Sequence, residues 1–269
     1  LLMKSLKYWL LVLGILSCFG CSSSIHEDNR GCSFICDSIQ YRVEFMSAGC
    51  VRILSYPEGD TLVTKRLVVD VEKPTFTDYK WEETEQAFVF CTHELLVSFD
   101  KSDEAFTFRE ASTGKLLLKE KDRRKARNFK RSEVGGEQCL EVTQRFIPTD
   151  EEAIYGLGQY QNGIMNYRGK SVLLLQANMD IVNPFLISTN GYGILWDNYS
   201  STKFEDTSEG YSFISEVGDA SDYYFVYGKN MDEVVAGYRE LTGDVPMFGK
   251  WVYGFWQSKE RYKSFDELK

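Results

Sequence analysis

The stretch Tyr41-Arg-Val-Glu-Phe-Met-Ser-Ala-Gly-Cys-Val-Arg-Ile53 decides the fold. Tyr41, Val43 and Phe45 fall on alternate positions with Arg42 and Glu44 between them, and Val51 and Ile53 resume the alternation after Ala48-Gly49. A period of two places the apolar side chains on one face of an extended chain, so the segment predicts two half-buried strands joined by a turn.

The same rhythm spreads outward. Leu67-Val68-Val69 with Val71, Ala87 to Phe90 and Leu95 to Phe99 all read as strands. Phe106 and Phe108 lead through the turn residues Ser112-Thr113-Gly114 to Leu116-Leu117-Leu118, which predicts a hairpin. Leu140, Val142 and Phe146 add a further strand. With no strand–helix–strand alternation before residue 230, the pattern predicts a mostly β chain built as a large antiparallel β-sandwich. From 153 to 227 glycines at 156, 158, 163, 169, 191 and 193 punctuate the strands, where bends or close backbone approaches are expected.

The period then changes. Met231, Val234, Val235, Tyr238 and Leu241 follow helical spacing, with Asn230 placed to cap the start and Gly243 to end it. Pro246 disfavours helix at Val245. Beyond it, Trp251 to Trp256 is an almost unbroken apolar run, the pattern of a strand buried on both faces, and Ser264 with Glu267 forms a capping box that starts a helix at Phe265. Strand, loop and helix predict one βα unit, and an apolar strand of this kind needs more chain to pair with.

Composition bounds the function. The 269 residues carry a net charge of -9, which argues against a nucleic-acid partner because no basic surface could neutralise many phosphates. The basic run Lys121 to Lys130 has acids at Glu120, Asp122 and Glu133 around it and is expected to be a solvated loop. Only His26 and His93 are available as imidazole ligands, neither at ligand spacing with the cysteines, so no metal and no cofactor is expected. Among the seven cysteines, a Cys32–Cys36 disulfide is allowed but not required.

At the start, Lys4 and Lys7 precede the apolar run Trp9 to Leu16, too short to span a bilayer and shaped like a secretory signal. A small residue precedes both Cys18 and Cys21, as a bacterial lipoprotein signal requires. The polar Ser22-Ser23-Ser24 that follows favours Cys21 as the lipid attachment site. The expected plan is therefore a signal over 1–21, a polar tether over 22–38, a sandwich over 39–228, a connecting helix and linker over 229–246, and the start of a truncated barrel over 247–269. Export with lipid anchoring in the cell envelope, or a periplasmic location, goes with it, and the anchor is the one membrane contact expected.

Acidic pairs at Glu82-Glu83, Asp150-Glu151-Glu152 and Asp266-Glu267 invite a catalytic reading. They fall in loops, at a helix start or side by side on a strand, where neighbours point to opposite faces, so solvated charge is expected instead. Asp197-Asn198 reads as a turn after Ile194-Leu195-Trp196.

Several runs taken together resemble glycoside hydrolase family 31, in its bacterial α-xylosidase-like branch. They are Tyr155-Gly-Leu-Gly-Gln159, Asn166-Tyr-Arg-Gly169, Gln176-Ala-Asn178, Pro184-Phe185, Gly191-Tyr-Gly-Ile-Leu-Trp-Asp-Asn198, and Gly254-Phe-Trp-Gln-Ser258 with Tyr262. Their order and spacing cover roughly residues 40 to 269. The resemblance implies a galactose-mutarotase-like sandwich followed by a (β/α)8 barrel beginning near residue 247. It also implies retaining hydrolysis of α-linked oligosaccharides by two aspartates from later barrel strands, which this chain does not contain, so no catalytic residue is assigned and the chain alone is expected to be inactive. It places Asn178 and Asp180 on a sandwich loop over the barrel mouth, where they would either hold sugar hydroxyls or cap a turn. Tyr262 would line the sugar pocket, and Trp256 would line it or pack in the core. The activity implied is that of an α-xylosidase on xyloglucan oligosaccharides. A surface glycan-binding lipoprotein, with Tyr155, Tyr160 and Tyr167 as stacking platforms, is the rival reading, beside the product of an interrupted gene.

Overall fold

The computed structural model describes residues 25–60, 67–70, 76–124 and 128–269. These form two antiparallel sheets. The eight-stranded sheet runs, edge to edge, His26–Asp28, Gly31–Cys36, Ile39–Ser47, Cys50–Pro57, Ser221–Tyr227, Tyr192–Trp196, Ile181–Ser188 and Ile154–Gln159. The other runs Ser171–Leu174, Thr202–Thr207, Gly210–Ser215, Glu137–Ile147, Leu116–Glu120, Ala105–Glu110, Leu95–Asp100, Ala87–Cys91 and Lys80–Glu83, with Phe129–Val134 paired to Glu137–Ile147. The expected sandwich is thus present.

In the first hairpin Val43 faces Ile53 and Phe45 faces Val51, and a bulge between Phe45 and Ser47 absorbs one residue before the turn. Tyr41, Val43, Phe45, Val51 and Ile53 are all buried between the sheets, as period-two alternation requires. Rings fill that interior: Phe108 stacks on Phe225 at 4.2 Å and 7°, and Phe99 lies 4.8 Å from both Phe34 and Tyr41. Such pairs add about 0.5–1.5 kcal/mol each beyond the area they bury.

The outer face of the eight-stranded sheet is covered by the helix Met231–Thr242. Val234 and Leu241 pack there with Phe185, Leu195, Tyr224 and Val226, and Tyr238 stacks on Phe185 at 4.2 Å. Asn230 caps the helix by accepting from the Glu233 backbone N–H at 3.0 Å, and Gly243 ends it, donating its N–H to the Arg239 carbonyl. Close approach is what Gly193 permits: a Cβ there would lie 2.8 Å from a Val234 methyl.

Between and beside the sheets lie polar clusters that apolar patterning does not announce. Arg52 makes a two-pronged ion pair with Asp222 at 2.8 and 2.5 Å and reaches Glu44 at 2.8 Å. Arg123 corrects the expectation of a solvated loop over Lys121 to Lys130. It is buried, donating to Glu120 at 2.8 Å, Gln144 at 3.0 Å and Ser55 at 2.9 Å. Burial opposes its charge, yet the Glu120 carboxylate beside it holds the guanidinium pKa above its ordinary value. Paired in this way, the charge escapes the cost of an isolated buried ion.

Four further expectations are corrected. The polar tether expected over 22–38 instead carries two strands of the sandwich, His26–Asp28 and Gly31–Cys36, with Cys32, Phe34 and Cys36 buried in the core. Leu67 to Val69 form a bend rather than a strand, with Leu67 N–H donating to the Tyr199 hydroxyl at 2.8 Å. Cys32 and Cys36 are buried free thiols four residues apart on one strand, which sets their Cα atoms about 13 Å apart, beyond disulfide reach. Trp251 to Trp256 is not a buried strand: Lys250–Tyr253 is a short 3-10 helix, and Trp251 and Phe255 are 73% and 88% exposed. A parallel strand needs neighbours on both sides, and among the described residues none pairs with it. The capping box is present as expected, Ser264 accepting from Glu267 N–H ahead of Phe265–Leu268. Cys18, Cys21 and the signal lie outside the described residues.

Candidate sugar-facing loop

The bend expected from glycine spacing sits on the edge strand Ile154–Gln159. Gly156, Leu157 and Gly158 all have positive φ, and the register against Ile181–Ser188 shifts between the two glycines. At Gly158 a Cβ would lie 2.0 Å from the Ile181 carbonyl oxygen, so only glycine lets the two backbones meet. This bulge supports one end of the loop that carries Asn178 and Asp180.

That loop is closed from within. Asp180 N–H donates to the Ala177 carbonyl at 3.3 Å, and Met179 takes the left-handed conformation at φ 68°. Gln176 spans the loop, its amide donating to the Asp180 carbonyl at 2.9 Å and accepting from Val182 N–H at 3.1 Å. Capping thus falls to Gln176 and the backbone, and neither the Asn178 nor the Asp180 side chain has a hydrogen bond among the described residues. Asn178 is exposed and Asp180 half-buried. The Tyr160 hydroxyl is pushed up to about 12 by burial, with Tyr167 and the Asp180 charge adding to it. The loop therefore presents an amide and a carboxylate, a set able to grip sugar hydroxyls but not to move protons between two acids.

Trp256 is 63% exposed, its indole N–H donating to the Val252 carbonyl at 2.8 Å and its ring 6.2 Å from Trp251. Tyr262 is half-buried, its hydroxyl bonded to the Gln257 amide at 2.5 Å and its ring 5.1 Å from the Lys259 ammonium. No hydrogen bond or ring contact among the described residues joins Trp256 or Tyr262 to Asn178 or Asp180.

Of the acidic pairs, Asp150 and Glu151 are exposed and Glu83 pairs with Lys101 at 2.7 Å, as solvated charge should. Glu152 departs from that reading. It is buried, accepts from Ser188 Oγ and the Tyr192 hydroxyl, both at 2.9 Å, and burial raises its carboxyl pKa against those bonds. Asp197-Asn198 is the expected turn, Asn198 accepting from Ser200 N–H at 2.8 Å. Both histidines are exposed, and among the described residues no group of three or more metal-ligating side chains is assembled. Tyr167 is buried edge-on to Phe204 and so cannot serve as a stacking platform.

Comparison with known proteins now places the chain. Residues 40–205 match the family described as the glycosyl hydrolase 31 N-terminal galactose mutarotase-like domain. The chain is 37% identical to an α-xylosidase of Saccharolobus solfataricus, over 86% of this chain and 32% of that protein. It is also 28% identical to α-glucosidase 2 of Bacillus thermoamyloliquefaciens, over 88% of this chain and 30% of that one. The fold superposes on the GH31 α-xylosidase of Xanthomonas citri with a TM-score of 0.80 at 23% identity, covering 90% of this chain and 43% of that one. The chain thus spans about a third of the length of the curated relatives it matches. The chain thus belongs to glycoside hydrolase family 31, of which it carries the N-terminal galactose mutarotase-like domain.

Proposed function

We propose that the chain is the N-terminal part of an exported, retaining α-glycosidase acting as an α-xylosidase on xyloglucan oligosaccharides. The observation that carries this reading is the 37% identity to an α-xylosidase across 86% of the chain. In this role the sandwich buttresses a (β/α)8 barrel that begins near residue 247, and the chemistry belongs to two aspartates of later barrel strands. Asn178 and Asp180 form one wall of the pocket, with their side chains left free by Gln176. Trp256 and Tyr262 enter the same pocket once the barrel surrounds them.

Export rests on Lys4, Lys7 and the short apolar run, with lipid attachment at Cys21. Alone, the chain binds no transition state and turns over nothing.

The test has two arms. The reading frame beyond Lys269 should encode the remaining strands and their two aspartates, and the complete protein should hydrolyse p-nitrophenyl α-xyloside in preference to the α-glucoside. In that protein Asp180→Ala should raise KM about 10-fold or more, the range for losing a hydrogen bond to a charged group. An immediate stop codon, or turnover by the 269-residue chain alone, contradicts the reading.

A further inference from the structure

The chain contains two Asn-Gly pairs, Asn162-Gly163 and Asn190-Gly191, and the fold sets them in opposite surroundings. Asparagine before glycine has a chemistry of its own. Glycine has no side chain to shield its backbone nitrogen, which can reach the carbonyl carbon of the preceding side-chain amide.

Asn190 is held against that reaction. Its side-chain amide donates to the Leu116 carbonyl at 3.2 Å and to the Leu117 carbonyl at 2.7 Å. The attacking nitrogen is held too, because Gly191 N–H donates to the Ser188 carbonyl at 3.2 Å. Gly191 is also packed: a Cβ there would lie 2.8 Å from the Gly228 carbonyl oxygen.

Asn162 has none of these restraints. Both Asn162 and Gly163 are exposed, Gly163 takes a left-handed φ of 69°, and nothing lies within 4 Å of where its Cβ would be. Among the described residues neither the Asn162 side-chain NH2 nor the Gly163 N–H makes a hydrogen bond. The one bond that the side chain does make favours attack. Ile164 N–H donates to Asn162 Oδ1 at 2.9 Å, which folds the amide back along Gly163 and polarises its carbonyl. The same donor stabilises the negative charge that collects on Oδ1 as the nitrogen adds.

We propose that Asn162 is a site of spontaneous deamidation in the folded protein, while the fold protects Asn190. Hydroxide removes the Gly163 amide proton, and the nitrogen attacks Asn162 Cγ. The Cγ–Nδ2 bond breaks, and ammonia leaves with a proton taken from water, closing a five-membered succinimide. A second water opens the ring: addition at the side-chain carbonyl gives aspartate, and addition at the backbone carbonyl gives isoaspartate. The balance is one water consumed, one ammonia released and one negative charge gained by the chain. Gln159 pairs with Ile181, so the segment carrying Asn162 leaves the sheet at the same end as the Asn178–Asp180 loop, and the new charge appears at that rim. The chemistry is independent of the glycosidase reading, so either can fail without the other.

Incubating the full chain at mildly alkaline pH and mapping its tryptic peptides by tandem mass spectrometry tests the proposal. In the folded chain conversion at Asn162 should be at least about 10-fold faster than at Asn190, where three hydrogen bonds must break before attack. The Asn162 rate should rise in proportion to hydroxide concentration. In the urea-unfolded chain the two asparagines should convert at comparable rates. Gly163→Ala, which places a methyl beside the attacking nitrogen, should slow conversion at Asn162 about 10-fold. An intact Asn162 in the folded chain, equal conversion of the two asparagines there, or protection of Asn190 that persists in urea would each overturn the proposal.

Discussion

The sandwich and the segment after Gly243 are both rich in apolar residues, and they end up in opposite states. Phe88, Phe99, Phe106, Phe108 and Phe225 are wholly buried, whereas Met247, Trp251, Phe255 and Phe265 stand in solvent. The difference lies in partners rather than in side-chain chemistry. Each sandwich strand has a neighbour to take its backbone hydrogen bonds and a facing sheet to cover its rings, while the apolar run from Trp251 has neither among the described residues. Apolar surface stabilises only when something removes it from water. Substitutions should therefore be costly in one region and nearly silent in the other.

The largest effect is expected at Glu120. Its carboxylate accepts from Arg123, Gln144, the Tyr223 hydroxyl and the Phe106 backbone N–H, so Glu120→Ala strands a buried guanidinium. A loss of about 3–5 kcal/mol in chemical denaturation is expected, and a loss near zero would mean that Arg123 finds water on its own. Next comes Gly158→Ala, which forces a Cβ into the Ile181 carbonyl at a positive φ. About 1–3 kcal/mol should be lost, together with the edge pairing of Ile154–Gln159.

Glu152 gives a subtler handle through pH. Burial raises its folded-state pKa above the unfolded value, so the folded protein holds that proton more tightly. Its contribution is fully present below the unfolded pKa and is lost as pH rises through the folded one. Glu152→Gln should flatten the stability curve of the parent across that window, and an unchanged slope would remove Glu152 from the account. Smallest of all, Phe255→Ala should change stability by no more than about 0.5 kcal/mol, the usual range for exposed positions without special contacts. A core-sized loss there would erase the contrast between the two regions.

How far the sequence could be read follows the same division. Alternation in Tyr41 to Ile53 and helical spacing in Met231 to Leu241 were legible because each pattern needs only its own residues to be recognised. Glycine spacing foretold the bulge at Gly156 and Gly158, since positive φ leaves a compositional mark. Arg123 and Glu152 were misread as solvated because a charged residue carries no local sign of the partners that fold around it. In the same way, an apolar run declares that it could be buried, not that a neighbour is present. The loop at Asn178 and Asp180 was placed by resemblance, and only coordinates reveal that Gln176 does the capping.

Amide hydrogen exchange on the chain alone probes the contrast where it is sharpest. Backbone amides in Ala105–Glu110, Tyr192–Trp196 and Ser221–Tyr227 should exchange only through global unfolding, while those from Trp251 to Trp256 should exchange almost as fast as in an unfolded peptide. Protection at Trp251 to Trp256 equal to that of the central strands would contradict a self-sufficient sandwich carrying an unpartnered apolar segment.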